Sequence, residues 1–285
     1  MAELSTRSKI ALGRAARTII SAGRSVFGAT DHATVTRREI RWDLDLSEGI
    51  DFAIYLMGGF ELRTLHLYKR LVSPGAIVLD VGANIGAHTL PLAKLVGPNG
   101  RVIAFEPTKF AFDKLGRNLG LNPSLAARVT PFQMALLASE NAQIPASIYS
   151  SWPLGGLTGL HEVHGGRLCS TDGARAATLD QVVESLGLTR MDFMKLDVDG
   201  HEPDVIQGAA RSLARFHPTI LMEWAPSCFE GMDEAVDAAF RVLRECGYTC
   251  TPVGERIPQA LTRESLARVA RPGASRNLVL AAAPQ

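Results

Sequence analysis

The sequence lacks the features that direct a protein to a membrane or to nucleic acid. No apolar run reaches the roughly 18 residues that a membrane-spanning helix requires, and we expect no signal peptide because the N-terminus has no continuous apolar region. The net charge is only +1 over 285 residues, whereas nucleic-acid-binding proteins carry a marked basic excess. The four cysteines match neither a zinc site nor a disulfide framework; they are Cys169, Cys228, Cys246 and Cys250. These absences predict a cytoplasmic protein with reduced thiols.

Charge is nevertheless unevenly distributed along the chain. Residues 1–41 contain eight lysine or arginine residues against three acidic residues, so a basic arm precedes a nearly neutral body. Within residues 8–27 apolar residues recur at helical spacing, and residues 35–46 alternate as a strand does. We therefore predict an N-terminal extension, residues 1–47, with a helix and a short hairpin. The helix is expected to dock on the protein, to contact an anionic membrane surface or to pair two subunits.

From residue 48 onward, short apolar segments alternate with segments of helical period. The predicted strands are 77–81, 101–105, 129–137, 191–196, 219–222, 248–252 and 277–282. This alternation predicts one α/β domain, residues 48–285, with a mostly parallel seven-stranded sheet and helices on both faces. Residues 138–177 are rich in glycine, serine and threonine, so we predict a long loop or hairpin that recognises a ligand. This segment contains Trp152, His161 and His164.

The segment 78–86 is typical of a strand, a glycine turn and the start of a helix, with Gly82 for close approach to a ligand and Gly86 for helix packing. In doubly wound sheets such a turn lies where ligands bind. Because Asp80 shares one side of the strand with Gly82, its carboxylate is expected to face the ligand. A carboxylate repels a pyrophosphate and attracts a cation. The glycine spacing is also G-x-x-x-G, and dinucleotide-binding folds have G-x-G-x-x-G.

An acidic residue also ends the second predicted strand. Glu106 follows Gly86 by twenty residues, at the place where an acid accepts hydrogen bonds from ribose hydroxyls. A ligand with a ribose, a positive amino-acid end and no phosphate is S-adenosylmethionine. In the alternative interpretation, Asp80 caps the turn and Glu106 is a surface acid.

The sequence resembles the FkbM-type family of S-adenosylmethionine-dependent methyltransferases over about residues 40–282. The resemblance is carried by residues 58–61, 78–86, 104–107, 134–136, 178–180, 221–224 and, most characteristically, 192–202. Asp199 departs from the glutamate that is usual in this family. The resemblance implies a Rossmann-like class I methyltransferase fold and O-methylation of a hydroxyl on a sugar or natural-product small molecule.

Together the turn, the strand ends and the resemblance define a predicted set of cofactor-binding residues. The set is Glu61, Asp80, Gly82, Ala83, Asn84, Gly86, Glu106, Pro107, Met134 and Asp197. Met134 is expected beside the adenine at the end of the third strand. Glu61 either faces the amino group of the cofactor or only favours a helix N-terminus. His88 is expected to serve packing.

A hydroxyl acceptor must lose its proton during methyl transfer, so the site needs a base or a Lewis acid. Asp197 ends the fourth predicted strand, and Lys195, on the same side, either pairs with it or orients the substrate. His201 is a candidate general base. Asp197 and Glu223 end neighbouring strands and are candidate Mg²⁺ ligands. Alternatively, Asp197, His201 and Glu202 only form a hydrogen-bonded turn that caps the next helix.

Two other functions are compatible with this sequence pattern. One is a nicotinamide-dependent oxidoreductase, which Asp80 and the glycine spacing oppose. The other is a non-catalytic cofactor-binding scaffold, which the polar residues Lys195, Asp197, His201 and Glu223 oppose, because buried polar groups cost stability. We therefore expect a small hydroxylated acceptor as the partner and no nucleic acid.

Overall fold

Strands and helices alternate along most of the chain in the computed structural model, which describes residues 6–150, 152–155, 166–270 and 274–282 (the backbone alone for residues 6–10). The strands are β1 (His32–Arg37), β2 (Ile40–Asp45), β3 (Ile77–Val81), β4 (Arg101–Phe105), β5 (Val129–Phe132), β6 (Met134–Leu136), β7 (Ser147–Ser150), β8 (Arg167–Ser170), β9 (Arg175–Ala177), β10 (Phe193–Leu196), β11 (Thr219–Trp224), β12 (Tyr248–Pro252) and β13 (Arg276–Ala282). The helices are α1 (Thr6–Val26), α2 (Gly49–Met57), α3 (Leu62–Leu71), α4 (Thr89–Val96), α5 (Lys109–Gly120), α6 (Pro123–Ala126), α7 (Leu179–Ser185), α8 (Glu202–Gln207), α9 (Ala210–Phe216), α10 (Asp233–Glu245) and α11 (Arg263–Leu266), with a 3-10 turn at Pro226–Phe229.

The central sheet of the described residues has seven strands in the order β12-β13-β11-β10-β3-β4-β5. β13 is antiparallel to both neighbours, and the pairings among β11, β10, β3, β4 and β5 are parallel. The chain runs outward from β3 to β4 and β5 and then crosses back to β10 on the other side of β3. The strand order therefore reverses between β3 and β10, which is where doubly wound sheets bind ligands. The prediction of a mostly parallel seven-stranded sheet is confirmed.

Apolar side chains of the central strands alternate between two cores, one on each face of the sheet. Leu79 and Val81 of β3 pack with helices α7 to α10, whereas Val78 packs with helices α2 to α5. Near-continuous apolar runs are expected for strands that are covered on both faces. The sequence of β3 fits this rule except at Asp80, whose side chain is fully buried. A buried acid in an apolar strand needs a partner, and that partner defines part of the site below.

The predicted N-terminal helix and hairpin are present as α1 and the antiparallel pair β1–β2. Trp42 and Leu44 of β2 are buried in the core that contains α2 to α5, so the hairpin packs on the domain. Arg17 of α1 donates a hydrogen bond to Asp31 at 2.5 Å. Among the described residues, every helix is too short or too polar to cross a membrane.

The third predicted strand, 129–137, consists of two strands. β5 belongs to the central sheet, and β6 pairs with β9 in a separate sheet. The chain changes sheets at Gln133, whose side chain donates to the carbonyl of Asp172 at 2.7 Å and whose own carbonyl accepts from the amide of Arg175. Met134 therefore begins β6 and does not end a strand of the central sheet, contrary to the prediction.

Two predicted helices also differ from the structure at their ends. The helix predicted over 202–213 is divided into α8 and α9 at Gly208, whose carbonyl accepts from the amide of Asp180 at 2.9 Å. The helix predicted from residue 86 begins at Thr89. Part of the segment 138–177 forms the antiparallel hairpin β7–β8, whereas His161 and His164 lie outside the described residues.

Candidate active site

The glycine turn after β3 brings two neighbouring strand ends into close contact. Gly82 has φ +83°, and a Cβ atom there would lie 1.8 Å from the carbonyl oxygen of Asp197. Gly82 thus accommodates the end of β10, and because it also lines the cleft, its predicted close approach to a ligand stays a prediction. Gly86 has φ +91°, and its Cβ would lie 2.9 Å from a methyl group of Leu115, which agrees with its predicted role in helix packing.

Asp80 lies beneath this turn and is fully buried. Its Oδ2 accepts a hydrogen bond from the hydroxyl of Thr89 at 2.6 Å, and its Oδ1 is 3.9 Å from the ammonium of Lys195. Burial raises its pKa, against the opposing charge of Lys195. Asp80 is not among the residues that line the cleft above the turn, and the hydrogen bond to Thr89 turns its Oδ2 toward α4. Direct contact between its carboxylate and a ligand stays a prediction.

Glu106 lines the active-site cleft, which lies at the carboxyl ends of β3, β4 and β10. Its Oε2 accepts from the amide of Asn84 at 2.9 Å, and its Oε1 accepts from the amide and the hydroxyl of Thr108. Burial raises the pKa of Glu106, and these hydrogen bonds lower it. Since a carboxylate has about four acceptor sites, Glu106 retains capacity for a ligand hydroxyl.

Other predicted cofactor-binding residues line the same cleft, namely Gly82, Ala83, Asn84, Pro107, Met134 and Asp197. Asn84 adopts φ +48°, and its side-chain amide lies 3.4 Å from the hydroxyl of Ser150. Trp152 faces Phe60 at a ring-centroid distance of 5.5 Å, and both line the cleft. The segment around β7 therefore lines the cleft beside the turn, and its role in recognising a ligand stays a prediction.

A buried ion pair joins the ends of β3 and β10. The ammonium of Lys195 lies 3.0 Å from Oδ2 of Asp197, and it donates to the carbonyl of Gly82 at 3.0 Å. Burial lowers the pKa of Lys195, but Asp197 and Asp80 raise it further, so the net shift is upward. Burial raises the pKa of Asp197, but Lys195 brings it below its usual value. Both groups are therefore charged near neutral pH, and Lys195 cannot serve as a base.

Asp197 of this pair also lies close to two further carboxylates. Asp197, Asp199 and Glu223 have oxygen atoms within 4.8 Å of one another, and the hydroxyl of Ser275 donates to Glu223 at 2.5 Å. Burial, and then the charge of Asp197, raise the pKa of Asp199 to about 8 and that of Glu223 well above its usual value. Sequence reasoning did not include Asp199 in this cluster. The left-handed backbone of Asp199, φ +50°, brings it there, and no sequence pattern announces that conformation.

His201 lines the cleft immediately before α8. Its Nδ1 lies 3.4 Å from Oδ2 of Asp204, which raises its pKa. The neighbouring Glu202 accepts hydrogen bonds from the amides of Val198 and Gly200. Glu202 therefore stabilises the turn, and the imidazole of His201 is left with its Nε2 edge for other contacts.

Glu61 lies outside the residues that line the cleft. It has φ +47° at the start of α3, and its Oε2 accepts a hydrogen bond from the hydroxyl of Thr64 at 2.9 Å. Its negative charge raises the pKa of both Lys195 and Glu223. Glu61 therefore acts on the site electrostatically, and its direct contact with a cofactor stays a prediction.

The residues of the cleft fit an adenosyl amino-acid ligand. Lys195 is the only lysine or arginine among the described residues that line the cleft, and it is already paired, so no cation is available for a pyrophosphate. Acids surround the turn and suit an ammonium and a sulfonium group. Two buried polar atoms near the turn, Oδ1 of Asp80 and Nε2 of His88, have no hydrogen-bond partner in the described part of the chain.

The sheet order and the cleft at its switch point define a Rossmann-like class I methyltransferase fold. A family model for the methyltransferase FkbM domain matches residues 80–250, which is more than half of the chain. The chain therefore belongs to the FkbM family of S-adenosylmethionine-dependent methyltransferases. This membership overturns the alternative of a nicotinamide-dependent oxidoreductase.

Curated relatives are methyltransferases or contain a similar region. The chain is 27% identical over 215 residues to methyltransferase sdnD of Sordaria araneosa, covering 65% of this chain and 82% of that protein. It is 31% identical over 142 residues to hexuronic acid methyltransferase AglP of Haloferax volcanii, covering 48% and 51%. It is 28% identical over 249 residues to the antimetabolite synthetase AmbE of Pseudomonas aeruginosa, covering 76% of this chain and only 12% of that protein.

Solved structures with a similar fold include two methyltransferases. An S-adenosylmethionine-dependent O-methyltransferase from Thermotoga maritima has a TM-score of 0.43 at 15% identity, covering 92% of this chain and 82% of that chain. Methyltransferase FkbM from Methylobacillus flagellatus has a TM-score of 0.43 at 14% identity, covering 76% and 50%.

Proposed function

We propose that this chain transfers the methyl group of S-adenosylmethionine to a hydroxyl oxygen of a small molecule, a sugar or a natural product. The observation that carries the proposal is that Asp197 and His201 line the same cleft as Glu106 and the glycine turn. The cleft thus combines groups suited to the cofactor with groups suited to deprotonating an acceptor. The hexuronic acid methyltransferase among the relatives supports a sugar acceptor.

The cofactor, when bound, supplies an electrophilic methyl group on a sulfonium. In the proposed reaction, His201 takes the proton of the acceptor hydroxyl through Nε2, since Nδ1 is held by Asp204. The acceptor oxygen gains the methyl group, the sulfur–methyl bond breaks, and S-adenosylhomocysteine is the second product. Lys195 fixes Asp197 and the carbonyl of Gly82, and so keeps the two strand ends in register.

An acceptor panel tests the reaction class. Purified protein is incubated with S-adenosylmethionine and hydroxylated sugars or natural products, and S-adenosylhomocysteine is quantified with the methylated product. We expect the product to be a methyl ether of the acceptor. We also expect that an Asp197→Asn variant that keeps its fold no longer forms this product. A methylated nitrogen or carbon would contradict O-methylation, and cofactor binding without turnover on any acceptor would favour a scaffold.

A divalent cation such as Mg²⁺ is a second candidate for activating the hydroxyl. It is favoured by the convergence of Asp197, Asp199 and Glu223 within 4.8 Å, because carboxylates are the preferred ligands of Mg²⁺. A cation there would lower the pKa of a bound hydroxyl. If His201 alone is the base, EDTA leaves the rate unchanged. A loss of activity in EDTA that added Mg²⁺ reverses in the wild type, but not in Glu223→Gln, would establish the cation.

We further propose a cytoplasmic location, which is supported by four cysteines that are all unpaired.

We also propose a contact between α1 and a second copy of the chain. Leu12, Ile19 and Val26 are exposed at seven-residue spacing on the outer face of α1, the spacing of a helix–helix seam. Arg17 and Arg24 turn inward to bind protein groups, so they do not supply the charge that an anionic membrane surface requires.

A further inference from the structure

His88 is a buried imidazole on the wall of the active-site cleft. Its Nδ1 lies 2.9 Å from the hydroxyl of Tyr68, a residue that is fully buried and does not line the cleft. The other ring nitrogen, Nε2, has no hydrogen-bond partner in the described part of the chain. Because Nδ1 is held by Tyr68 and His88 lines the cleft, Nε2 is the ring nitrogen that remains for a ligand.

Counting donors and acceptors assigns the proton on this ring. The hydroxyl of Tyr68 has His88 as its one partner among the described residues. If Nδ1–H donated to Tyr68, the hydroxyl proton would be buried without an acceptor, and Nε2 would lack a donor. If the hydroxyl donates to Nδ1, only one group, Nε2–H, is left unpaired. Burial lowers the pKa of His88 to about 3, so the ring is neutral and Nε2–H is a donor.

The sheet order separates the candidate ribose acceptor from the charged groups nearest His88. Glu106 ends β4, on one side of β3, and is the candidate ribose acceptor. Lys195 and Asp197 end β10, on the other side of β3, and both are close enough to shift the pKa of His88. With Glu106 as the ribose acceptor, the adenosine would occupy the β4 side of the cleft, and the amino-acid end of the cofactor would lie toward β10 and His88.

The amino-acid end of S-adenosylmethionine carries an ammonium group and a carboxylate group, and the acidic residues of the site can attract only the ammonium. Lys195 is already held by Asp197 and the carbonyl of Gly82. We propose that Nε2–H of His88, oriented by Tyr68, binds the carboxylate of the methionine moiety of the cofactor. This inference rests on the proposed function, because it needs S-adenosylmethionine as the ligand.

Calorimetry with a matched pair of ligands tests the contact. Without acceptor present, S-adenosylmethionine is compared with its decarboxylated analogue, which keeps the ribose, sulfonium and ammonium groups. A hydrogen bond to a charged group predicts that His88→Ala raises the Kd for S-adenosylmethionine about 10- to 100-fold and leaves the Kd for the analogue unchanged. Equal weakening of both ligands, or of neither, would overturn the inference.

Two further variants separate a ligand contact from a packing role. Gln places its amide nitrogen near the Nε2 position, whereas Asn reaches only the Nδ1 position, so His88→Gln restores affinity for S-adenosylmethionine more than His88→Asn does. Tyr68→Phe weakens the same ligand selectively, because the tautomer is no longer fixed. If the wild type binds neither ligand, the proposed function itself fails. If it binds both and the His88 variants show no selectivity, only this inference fails.

Discussion

Replacing Gly82 with alanine should damage the active site through a backbone contact. The new Cβ would lie 1.8 Å from the carbonyl oxygen of Asp197 and 3.3 Å from a methyl group of Val198. Since a carbon–oxygen contact needs about 3.3 Å, the end of β10 has to move by roughly 1.5 Å. Displacements of about 1 Å cost on the order of 100-fold in rate, so we expect at least that loss in kcat.

The same substitution should also lower the free energy of unfolding. A non-glycine residue at positive φ costs roughly 1–2 kcal/mol, and overpacking adds roughly 1–3 kcal/mol, so we expect a loss of about 2–5 kcal/mol. Gly75→Ala is the matched control, because Gly75 has φ +81° with nothing within 4 Å of its Cβ position; it should lose only the backbone part and keep kcat. Urea unfolding and steady-state kinetics measure both. Equal effects of the two substitutions would refute the reasoning.

Three other predictions address the base, the pH dependence and the surface of α1. His201→Ala should lower kcat about 100-fold and leave S-adenosylhomocysteine affinity unchanged in calorimetry; unchanged turnover would exclude the base. Burial raises the pKa of Asp51, which pairs with Lys114, to about 6, and the unfolded chain loses this proton near pH 3.9. Asp51 should therefore make stability fall as pH rises from about 4 to about 6, and urea titrations of a D51N/K114M variant should show a smaller slope over this range. Leu12 and Ile19 are 64% and 75% exposed, so L12S/I19S should change unfolding by less than about 0.5 kcal/mol but reduce self-association in sedimentation velocity; a persisting dimer would contradict the α1 contact.

The architecture was predictable because its central strands are covered on both faces. Segments such as Ile77–Val81 and Phe193–Leu196 are almost wholly apolar, and glycine turns and helical periods separate them, so their positions in the chain and a mostly parallel sheet follow from the sequence. The break at Gln133 was not predictable, because it depends on hydrogen bonds to Asp172 and Arg175 about forty residues away. Long-range partners of this kind leave no local pattern.

The site was predictable by residue type more than by side-chain direction. The sequence identified Asp197, His201 and Glu106, and all three line the cleft, because strand ends in this fold converge at one edge of the sheet. It missed Asp199, whose position depends on its own left-handed backbone conformation, and it assigned His88 a packing role. His88 becomes a candidate only when the hydroxyl of Tyr68 is seen to occupy one ring nitrogen and to leave the other free.

The burial of Asp80 bears on how the site would select its ligand. Strand alternation predicts a carboxylate that touches the ligand, whereas the structure shows one buried beneath the turn, bonded to Thr89 and 3.9 Å from Lys195. A charge held in this way acts through its field, which is weakly screened in a buried region. A negative charge there opposes a pyrophosphate above the turn and favours a cation, and it also contributes to the raised pKa of Lys195. We therefore expect Asp80 to favour a positively charged cofactor through its charge, whether or not its carboxylate touches the ligand.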